Sequence, residues 1–305
     1  MDAQAASDFE RILEADAAFV EHFLDEALDG RTRGGEIARP TRLVAAMRHG
    51  VLNGGKRLRP FLVLETAALF GGNRDAALRV AGALECVHCY SLIHDDLPAM
   101  DDDDMRRGQP TVHKAFNEAA AILAGDSLLT YAFDLIAGEG TDLPAAHKLA
   151  LVAGLARAAG MGGMAGGQAL DLEAEASRPD EAGIIRLQAM KTGALIRYAC
   201  EAGAIVAGAP DRDRETLAEF GAAIGLAFQL ADDLLDETSS AEVMGKATGK
   251  DAGAGKATLV ALHGQDWARR QLDGLAAQAE DLLEPFGEQA AILRAASRFI
   301  VSRRR

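Results

Sequence analysis

The sequence is poor in the residues that build disulfide frameworks, aromatic cores and loops. It has 3 cysteines, 8 prolines and 5% aromatic residues in 305, against 49% hydrophobic residues. Three cysteines cannot form a disulfide framework. We find no alternation typical of strands, and the texture rich in Ala, Leu and Glu favours helix nearly throughout. These features predict an all-α protein with a large buried core.

Basic residues are also scarce, since the formal net charge is −14. This balance argues against nucleic acid as a partner. The N-terminus lacks the basic region and apolar core of a signal peptide. We expect no apolar run of membrane-spanning length and no stable membrane insertion. A soluble protein of the reducing cytoplasm is consistent with these features.

A short cysteine motif is the first candidate metal site, and composition weighs against it. Cys86, His88 and Cys89 have the spacing of a zinc knuckle, but a zinc site needs four ligands and Cys200 is the only other cysteine. We therefore expect buried, unreactive thiols at these positions.

The strongest chemical signal is the run of residues 95–101, which contains Asp95, Asp96 and Asp101. Helical spacing places Asp95 on the same face as His88. Pro98 should end this helix, because proline lacks an amide donor and restricts the residue before it. In an unbroken helix Asp95 and Asp101 would lie about 120° apart, so a turn at Pro98 is needed to bring them together. The alternative is a solvated, charge-balanced loop.

A second acidic cluster lies in an apolar helix, where Gln229, Asp232, Asp233 and Asp236 follow at i, i+3, i+4 and i+7. No basic residue occurs in residues 224–237, so like charges on this stripe repel one another. An exposed polar face is the alternative. Clustered carboxylates suit hard cations such as magnesium, which also bind phosphate oxygens.

Basic residues are grouped at places suited to anions. Residues 53–60 join two glycines to Lys56 and Arg59 at the start of a helix, where amide donors and the helix dipole favour a phosphate. A basic surface turn is the alternative. Arg106 and Arg107 directly follow the first acids, and guanidinium groups bind phosphate oxygens in pairs.

The second half of the chain adds further candidates. Lys191 lies in a long apolar helix predicted over residues 179–207, where a snorkelling lysine is the alternative. Residues 244–256 form a glycine-rich basic loop suited to closing over phosphates. The glycines of residues 160–171 predict a close approach of helices, with Gln168 and Asp171 lining a cavity or ending a helix. The C-terminal residues 303–305 are three arginines, a frayed tail or part of a lid.

Two aspartate clusters, basic phosphate-type sites and apolar helical walls together suit a diphosphate attached to a hydrocarbon chain. From about Arg39 to the C-terminus the sequence resembles the trans-type polyprenyl diphosphate synthases, specifically the short-chain bacterial farnesyl or geranylgeranyl diphosphate synthases. The motifs that carry this resemblance are Gly54-Gly55-Lys56-Arg57-Leu58-Arg59-Pro60, His88, residues 90–101, Arg106-Arg107-Gly108, Lys191-Thr192-Gly193 and residues 229–236.

The resemblance implies an all-α isoprenoid-synthase bundle of about ten or more mostly antiparallel helices around a central cavity. It implies a single polyprenyl synthase domain over residues 1–305, usually in a homodimer. The implied reaction condenses isopentenyl diphosphate head to tail with dimethylallyl or geranyl diphosphate. We expect farnesyl diphosphate as the product. A geranylgeranyl diphosphate synthase, a class I terpene cyclase and a non-catalytic prenyl-binding partner subunit are the alternatives.

The resemblance also assigns roles to residues. Isopentenyl diphosphate would be held by Lys56, Arg59, His88 and Arg107, with Gly55 beside them. The allylic diphosphate would be held by Arg106, Lys191, Lys246 and Lys256. Up to three magnesium ions, or manganese, would be bound directly by Asp95, Asp101 and Asp232, with Asp96, Asp233 and Asp236 assisting directly or indirectly. The allylic substrate would ionise to a carbocation with the help of magnesium. Thr192 and Gln229 would turn oxygen dipoles toward this carbocation.

The helix before Asp95 should limit the length of the product. Tyr90 and Ser91 lie about one turn back from Asp95, roughly 6 to 7.5 Å along the axis. A growing chain that starts at the metals would run toward them. A bulky Tyr90 at this depth would act as a floor, meaning that it would block further growth of the chain. This favours a C15 product over C20.

Overall fold

The computed structural model describes residues 3–177, 179–244 and 258–302. The chain divides into two compact units, which are described separately. The N-terminal unit comprises Glu10–Val152 with Ile205–Gly208, and the C-terminal unit comprises Ala153–Ala204 and Ala209–Arg305 with Met1–Phe9. The single domain and the central cavity stay predictions.

The described residues are almost entirely helical, which confirms the all-α prediction. The first half of the chain contains α1 Ala3–Ala27, α2 Thr41–Val51, α3 Leu58–Leu69, α4 Arg74–Asp95, β1 Met105–Arg106, β2 Gln109–Pro110, α5 Val112–Ala115, α6 Glu118–Ala137 and α7 Ala145–Ala159. The second half contains α8 Met164–Ser177, α9 Glu181–Gln188, a π-helical turn Ala189–Gly193, α10 Ala194–Val206, α11 Asp211–Met244, α12 Leu259–His263, α13 Gln265–Leu283, a 3₁₀ segment Glu284–Ala290 and α14 Ala291–Ser302.

Helix α4 is the core of the N-terminal unit. Asn73 caps its start, because the side-chain oxygen accepts from the amides of Asp75 at 3.0 Å and Ala76 at 3.1 Å. Most of its residues are buried, and it packs against α2, α3 and α6. A Cβ at Gly82 would lie 2.4 Å from the ring of Phe23, so α1 and α4 approach closely at this glycine. The helix that carries the first acids is therefore fixed along most of its length.

Three segments are long and apolar enough, by length and composition, to cross a membrane: Arg74–Asp95, Glu118–Ala137 and Ala145–Ala174. The expectation that no apolar run reaches this length is therefore wrong. In α4, 78% of the apolar window is buried inside the structure, so core packing accounts for its composition. The buried shares of the other two windows are 39% and 28%.

In the C-terminal unit the π-helical turn lies between α8 and α11. A Cβ at Gly167 of α8 would lie 2.2 Å from the backbone nitrogen of Lys191, and a Cβ at Gly225 of α11 would lie 3.0 Å from the Cα of Gly193. The predicted close approach of helices at the glycine-rich segment is confirmed. The long helix predicted over residues 179–207 is interrupted by the π turn, a feature common at functional sites.

Three local expectations are settled by the structure. Cys86, Cys89 and Cys200 form no disulfide and are buried, as expected, and burial raises the pKa of Cys89 to about 12. The expectation of no strands is wrong in one place, because β1 and β2 form a short antiparallel hairpin. The helix expected to start within residues 53–60 is α3, which begins at Leu58 and has Pro60 as its third residue.

Candidate active site

The chain turns back on itself after α4, as the proline predicted. Helix α4 ends at Asp95, and the amide of Leu97 bonds to the carbonyl of His94 at 3.1 Å. The amide of Asp101 then donates to the carbonyl of Asp95 at 2.8 Å. This bond confirms that the turn at Pro98 brings the backbone of Asp101 beside that of Asp95. Asp95 is half-buried and Asp101 is exposed, so both acids are at the surface of the N-terminal unit.

The carboxylate of Asp96 is paired with the guanidinium of Arg106. This carboxylate is 3% exposed and accepts from Nε of Arg106 at 2.7 Å and from Nη2 at 2.6 Å. Burial raises the pKa of Asp96 above its usual range, and the adjacent guanidinium offsets this in part. Asp96 therefore orients Arg106, which favours an indirect role in metal binding over a direct one.

The hairpin formed by β1 and β2 presents Arg107. Its two turn residues, Arg107 and Gly108, have φ angles of 51° and 78°, a conformation that suits the right-handed twist of a two-residue hairpin. Arg107 donates to the carbonyl of Gly54 and to the side-chain oxygen of Asn53 at 3.2 Å. A Cβ at Gly55, where φ is 120°, would lie 2.6 Å from the guanidinium carbon. The absence of a side chain at Gly55 therefore makes room for Arg107.

His88 joins this basic cluster from α4. Its Nε2 lies 3.4 Å from Nη1 of Arg59. Burial lowers the pKa of His88 well below its usual range, and the neighbouring Arg59 and Arg107 lower it further. His88 is therefore neutral at physiological pH and can accept a hydrogen bond from Arg59. Lys56 is exposed in the loop before α3.

Arg57, between these cations, has a structural role. It caps α3 in the left-handed conformation with φ of 49°, and its side chain is 1% exposed. Its guanidinium donates to Glu85 of α4 at 2.6 Å and to the carbonyl of Val51 at 2.5 Å. Removing one partner of a buried pair leaves an uncompensated charge, so this pair ties the loop of residues 53–57 to α4.

The two residues predicted to limit product length lie on α4 and are both partly exposed. The ring of Tyr90 packs edge-on against His94, with centroids 5.7 Å apart. Burial and the nearby Asp95 raise the pKa of Tyr90. The hydroxyl of Ser91 donates to the carbonyl of His88 at 2.9 Å, inside the same helix.

In the C-terminal unit the π turn presents Lys191 and Thr192. Lys191 Nζ lies 2.5 Å from Oδ2 of Asp171, and both side chains are about one quarter exposed, at 27% and 26%. The hydroxyl of Thr192 donates to Oε1 of Gln229 on α11 at 2.8 Å. The structure thus brings together Thr192 and Gln229, which were each expected to turn an oxygen dipole toward the carbocation. Lys191 is paired with Asp171, for which the sequence allowed two roles, lining a cavity or ending a helix.

Asp233 is fixed by two amides. Gln229 donates to its Oδ1 at 2.8 Å, and Gln188 donates to its Oδ2 at 2.7 Å. Burial raises the pKa of Asp233, and these hydrogen bonds offset the effect in part. Asp232 is half-buried and Asp236 is exposed on the same helix. Asp233 is therefore held in place by hydrogen bonds from Gln188 and Gln229.

Two predicted phosphate ligands, Lys246 and Lys256, lie outside the described residues, as do Lys250 and the three C-terminal arginines.

The donor set of the two acidic clusters fits magnesium. Asp95 and Asp101 are joined by a backbone hydrogen bond and are both at least partly exposed, and α11 carries Asp232 and Asp236, which are also at least partly exposed. Oxygen ligands of this kind suit a hard cation that keeps several waters. The direct ligands that the resemblance implies, Asp95, Asp101 and Asp232, stay predictions.

Sequence reasoning missed Asn53 and Gln188. Asn53 lies in the glycine-containing segment of residues 53–60. Its side-chain oxygen accepts a hydrogen bond from Arg107, which lies 54 residues further along the chain. Gln188 precedes Lys191 by three residues, so helical spacing alone would place the two on one face. That spacing was the available signal for Gln188, whereas nothing local in the sequence indicates the partner of Asn53.

Comparison with known proteins gives one consistent result. A family model described as polyprenyl synthetase matches residues 40–291. The chain is 44% identical to farnesyl diphosphate synthase of Escherichia coli (strain K12) over 272 residues, which cover 86% of this chain and 90% of that protein. It is 46% identical to farnesyl diphosphate synthase of Geobacillus stearothermophilus over 234 residues, covering 76% and 79%. The structure of an FPP/GFPP synthase from Zymomonas mobilis has a TM-score of 0.86 at 44% identity, covering 97% of this chain and 100% of that chain.

Proposed function

The chain belongs to the polyprenyl synthetase family, and we propose from this premise that it is a prenyltransferase that makes farnesyl diphosphate. It would condense isopentenyl diphosphate head to tail with an allylic diphosphate, first dimethylallyl and then geranyl. A geranylgeranyl diphosphate synthase with a C20 product is the second candidate.

One observation carries the proposal, namely the convergence of three separate motifs in the N-terminal unit. Arg59 of α3 contacts His88 of α4, and Arg107 of the hairpin bonds to Gly54 and Asn53. These cations lie beside the acids at the end of α4, since Arg106 precedes Arg107 and bonds Asp96. Adjacent cationic and acidic groups suit two diphosphates, one bound directly and one bound partly through metal.

The first chemical step would be loss of diphosphate from the allylic substrate. Asp95, Asp101 and Asp232 would hold magnesium, which when bound supplies positive charge to the diphosphate oxygens. Arg106 and Lys191 would donate to the same group, and Lys191 would exchange its contact with Asp171 for phosphate. Fixed positive charge where negative charge develops lowers the barrier to breaking the C–O bond.

The second step would join the two substrates. Arg59, Arg107 and Lys56 would hold isopentenyl diphosphate so that its double bond faces the allylic carbocation. Thr192 and Gln229 already share a hydrogen bond, and their oxygen dipoles would stabilise the cation. The departing diphosphate would accept the final proton. Water would have to be excluded, because it would capture the cation.

A class I terpene cyclase would also use an acidic metal site in a helical protein. It would not need a site for a second diphosphate, and the cluster of Arg59, His88 and Arg107 supports the two-substrate reaction instead. A non-catalytic partner subunit would not need both acidic clusters, and both are present in the sequence.

We also propose a soluble, cytoplasmic homodimer. Its support is the surface of α6, where Ile122 and Leu123 are 45% and 55% exposed. Burying such apolar side chains against a second copy is favourable. Sedimentation velocity of the purified protein would show a dimer if this is correct and a monomer at all concentrations if it is not.

Product length tests the role proposed for Tyr90. In Tyr90→Ala the floor beside Asp95 would be removed, so chain elongation should continue past C15 to C20 and longer products. Tyr131→Ala is the control, since it truncates a tyrosine of α6 whose hydroxyl donates to the carbonyl of Ala27. Chromatography of the extracted prenyl alcohols gives the answer, and a mutant that makes no longer product would show that Tyr90 is not the floor.

Binding of an allylic diphosphate analogue that cannot ionise tests the metal-dependent site. Calorimetry should show binding in magnesium, a loss of at least about tenfold in affinity in Asp101→Asn, and little change in the neighbouring Asp103→Asn. Asp103 lies 3.5 Å from Arg106 and is 53% exposed, so it controls for charge. Binding that is equal with and without magnesium would argue against the proposal.

A further inference from the structure

A second group of metal-ligating side chains lies beyond the acids of the proposed active site. Asp102 and Asp104 are exposed in the acidic loop, defined as residues 101–104, and His113 is buried in α5. One ligand atom from each of the three lies within 4.8 Å of the others. None of these residues is needed for the prenyl reaction proposed above.

His113 is the observation that distinguishes this cluster from an ordinary acidic loop. Its side chain belongs to a residue that is 8% exposed, and its Nε2 is buried with no hydrogen-bond partner among the described residues. A buried polar atom without a partner is costly.

The surroundings of His113 are compatible with a metal-ligating tautomer. The hydroxyl of Thr111 lies 2.8 Å from the carbonyl of Asp103 and 3.1 Å from Nδ1 of His113. When the hydroxyl donates to that carbonyl, its oxygen accepts from Nδ1–H, and Nε2 then carries the lone pair. An imidazole whose Nδ1–H is held by an oxygen is the usual state of a metal-ligating histidine.

We propose that Asp102, Asp104 and His113 form a site for a divalent transition metal ion such as zinc or manganese. Two carboxylates and one imidazole nitrogen suit these ions, whereas magnesium prefers oxygen alone. Ligands of one such ion lie about 3 Å apart, given bonds of roughly 2.1 Å. The two exposed aspartate side chains would have to rotate toward His113 to close the remaining gap.

Lys114 competes with the metal. Its Nζ lies 2.7 Å from Oδ1 of Asp104. A bound ion must share or displace this ammonium group, so Lys114 weakens the site and makes occupancy depend on metal concentration. Removing the charge of Lys114 should tighten binding.

A bound metal would connect the acidic loop, which carries Asp102 and Asp104, to α5, which carries His113. Asp102 has a φ of 52°, and its amide donates to the carbonyl of Leu97. The carbonyl of Asp104 accepts from the amide of Thr111 at 3.0 Å. The acidic loop is thus already attached to the start of α5. A metal between them braces the loop that carries Asp101, and it acts as a positioning device for that acid.

The test uses the full-length protein, stripped with a chelator and then held in excess magnesium so that the acids of the prenyl site are occupied. Manganese is then added and followed by pulsed EPR, which detects a directly bound imidazole nitrogen. Zinc affinity is measured by calorimetry in the same buffer. We expect one site with a nitrogen coupling in the wild type. In Asp102→Asn the affinity should fall by about tenfold or more, and in Lys114→Met it should rise.

Two further variants separate the outcomes. His113→Asn should abolish the nitrogen coupling, and Asp103→Asn, which changes the neighbouring exposed acid, should retain it. Because His113 is buried, the exposed Asp102→Asn decides the matter if His113→Asn does not fold. The proposal is overturned if no site remains in excess magnesium, if Asp102→Asn binds as tightly as the wild type, or if binding is lost in Asp95→Asn instead. None of these readouts depends on prenyltransferase activity.

Discussion

At the scale of single residues, several charged side chains of the candidate site are held in place by hydrogen bonds to neighbouring side chains. Asp96 orients Arg106, and Gln229 and Gln188 orient Asp233. Preorganised polar groups of this kind stabilise charge without rearranging during the reaction. Sequence reasoning identified the acids because their clustering is visible along the chain. It did not identify their partners, because Gln188 meets Asp233 across 45 positions of sequence.

Gly55 and Gly54 provide a test of the Arg107 site. In Gly55→Ala the new Cβ would meet the guanidinium of Arg107, whereas at Gly54, with φ of 80°, a Cβ would meet nothing within 4 Å. Both changes strain a positive φ, so the difference between them measures the displacement of Arg107. Steady-state kinetics should show a KM for isopentenyl diphosphate about tenfold higher in Gly55→Ala than in Gly54→Ala. Equal values would mean that Arg107 does not hold this substrate.

Glu65 predicts a pH dependence of stability. Burial and the neighbouring Asp16 raise its pKa from 4.5 to about 7. The folded protein therefore holds a proton that the unfolded chain loses between pH 4.5 and 7, and stability falls as the pH rises through this window. The loss is on the order of 3 kcal/mol, at about 1.4 kcal/mol for each pKa unit.

Urea unfolding from pH 4.5 to 8 measures this effect. The free energy of unfolding of Glu65→Gln should decline less than that of the wild type, because glutamine has no charge to gain. Glu139→Gln, at an exposed position, is the control and should follow the wild type. Parallel curves for the wild type and Glu65→Gln would contradict the assignment.

At the scale of elements, the helix boundaries were largely predictable and the junctions were not. Helix α4 ends at Asp95, just before the break expected at Pro98, and α3 begins at Leu58, within the segment where a helix start was expected. The π turn was missed, since one extra residue in a turn leaves no mark on composition. The β1–β2 hairpin was missed because two-residue strands carry no alternation. Pro98 was informative because its effect on the backbone is local.

The packing of α8 on the π turn predicts the effect of a small substitution. In Gly167→Ala the Cβ would lie 2.2 Å from the backbone nitrogen of Lys191, so the turn that carries Lys191 and Thr192 must shift. Such overpacking costs about 1 to 3 kcal/mol. We expect a lower melting temperature and a higher KM for the allylic diphosphate.

Gly162→Ala is the matched control for this change, because a Cβ there meets nothing within 4 Å. Thermal unfolding and steady-state kinetics on both variants separate the packing effect from the loss of a glycine. If Gly167→Ala retains wild-type kinetics, the position of the π turn does not matter for substrate binding.

At the scale of the whole molecule, the two acidic clusters belong to different units of the chain. Composition and motif order were enough to indicate the family, and the match over residues 40–291 confirms it. The role proposed for Tyr90 would make product length depend on the depth beside α4, which side-chain identity alone does not give.

The most direct test of the central claim is to incubate the purified protein with magnesium, isopentenyl diphosphate and, in turn, dimethylallyl, geranyl and farnesyl diphosphate, and to size the products. We predict that the first two primers yield farnesyl diphosphate and that farnesyl diphosphate is not extended. A linear C20 product as the main species would assign the protein as a geranylgeranyl diphosphate synthase. Cyclic products from an allylic diphosphate alone, or no condensation with any primer, would contradict the account.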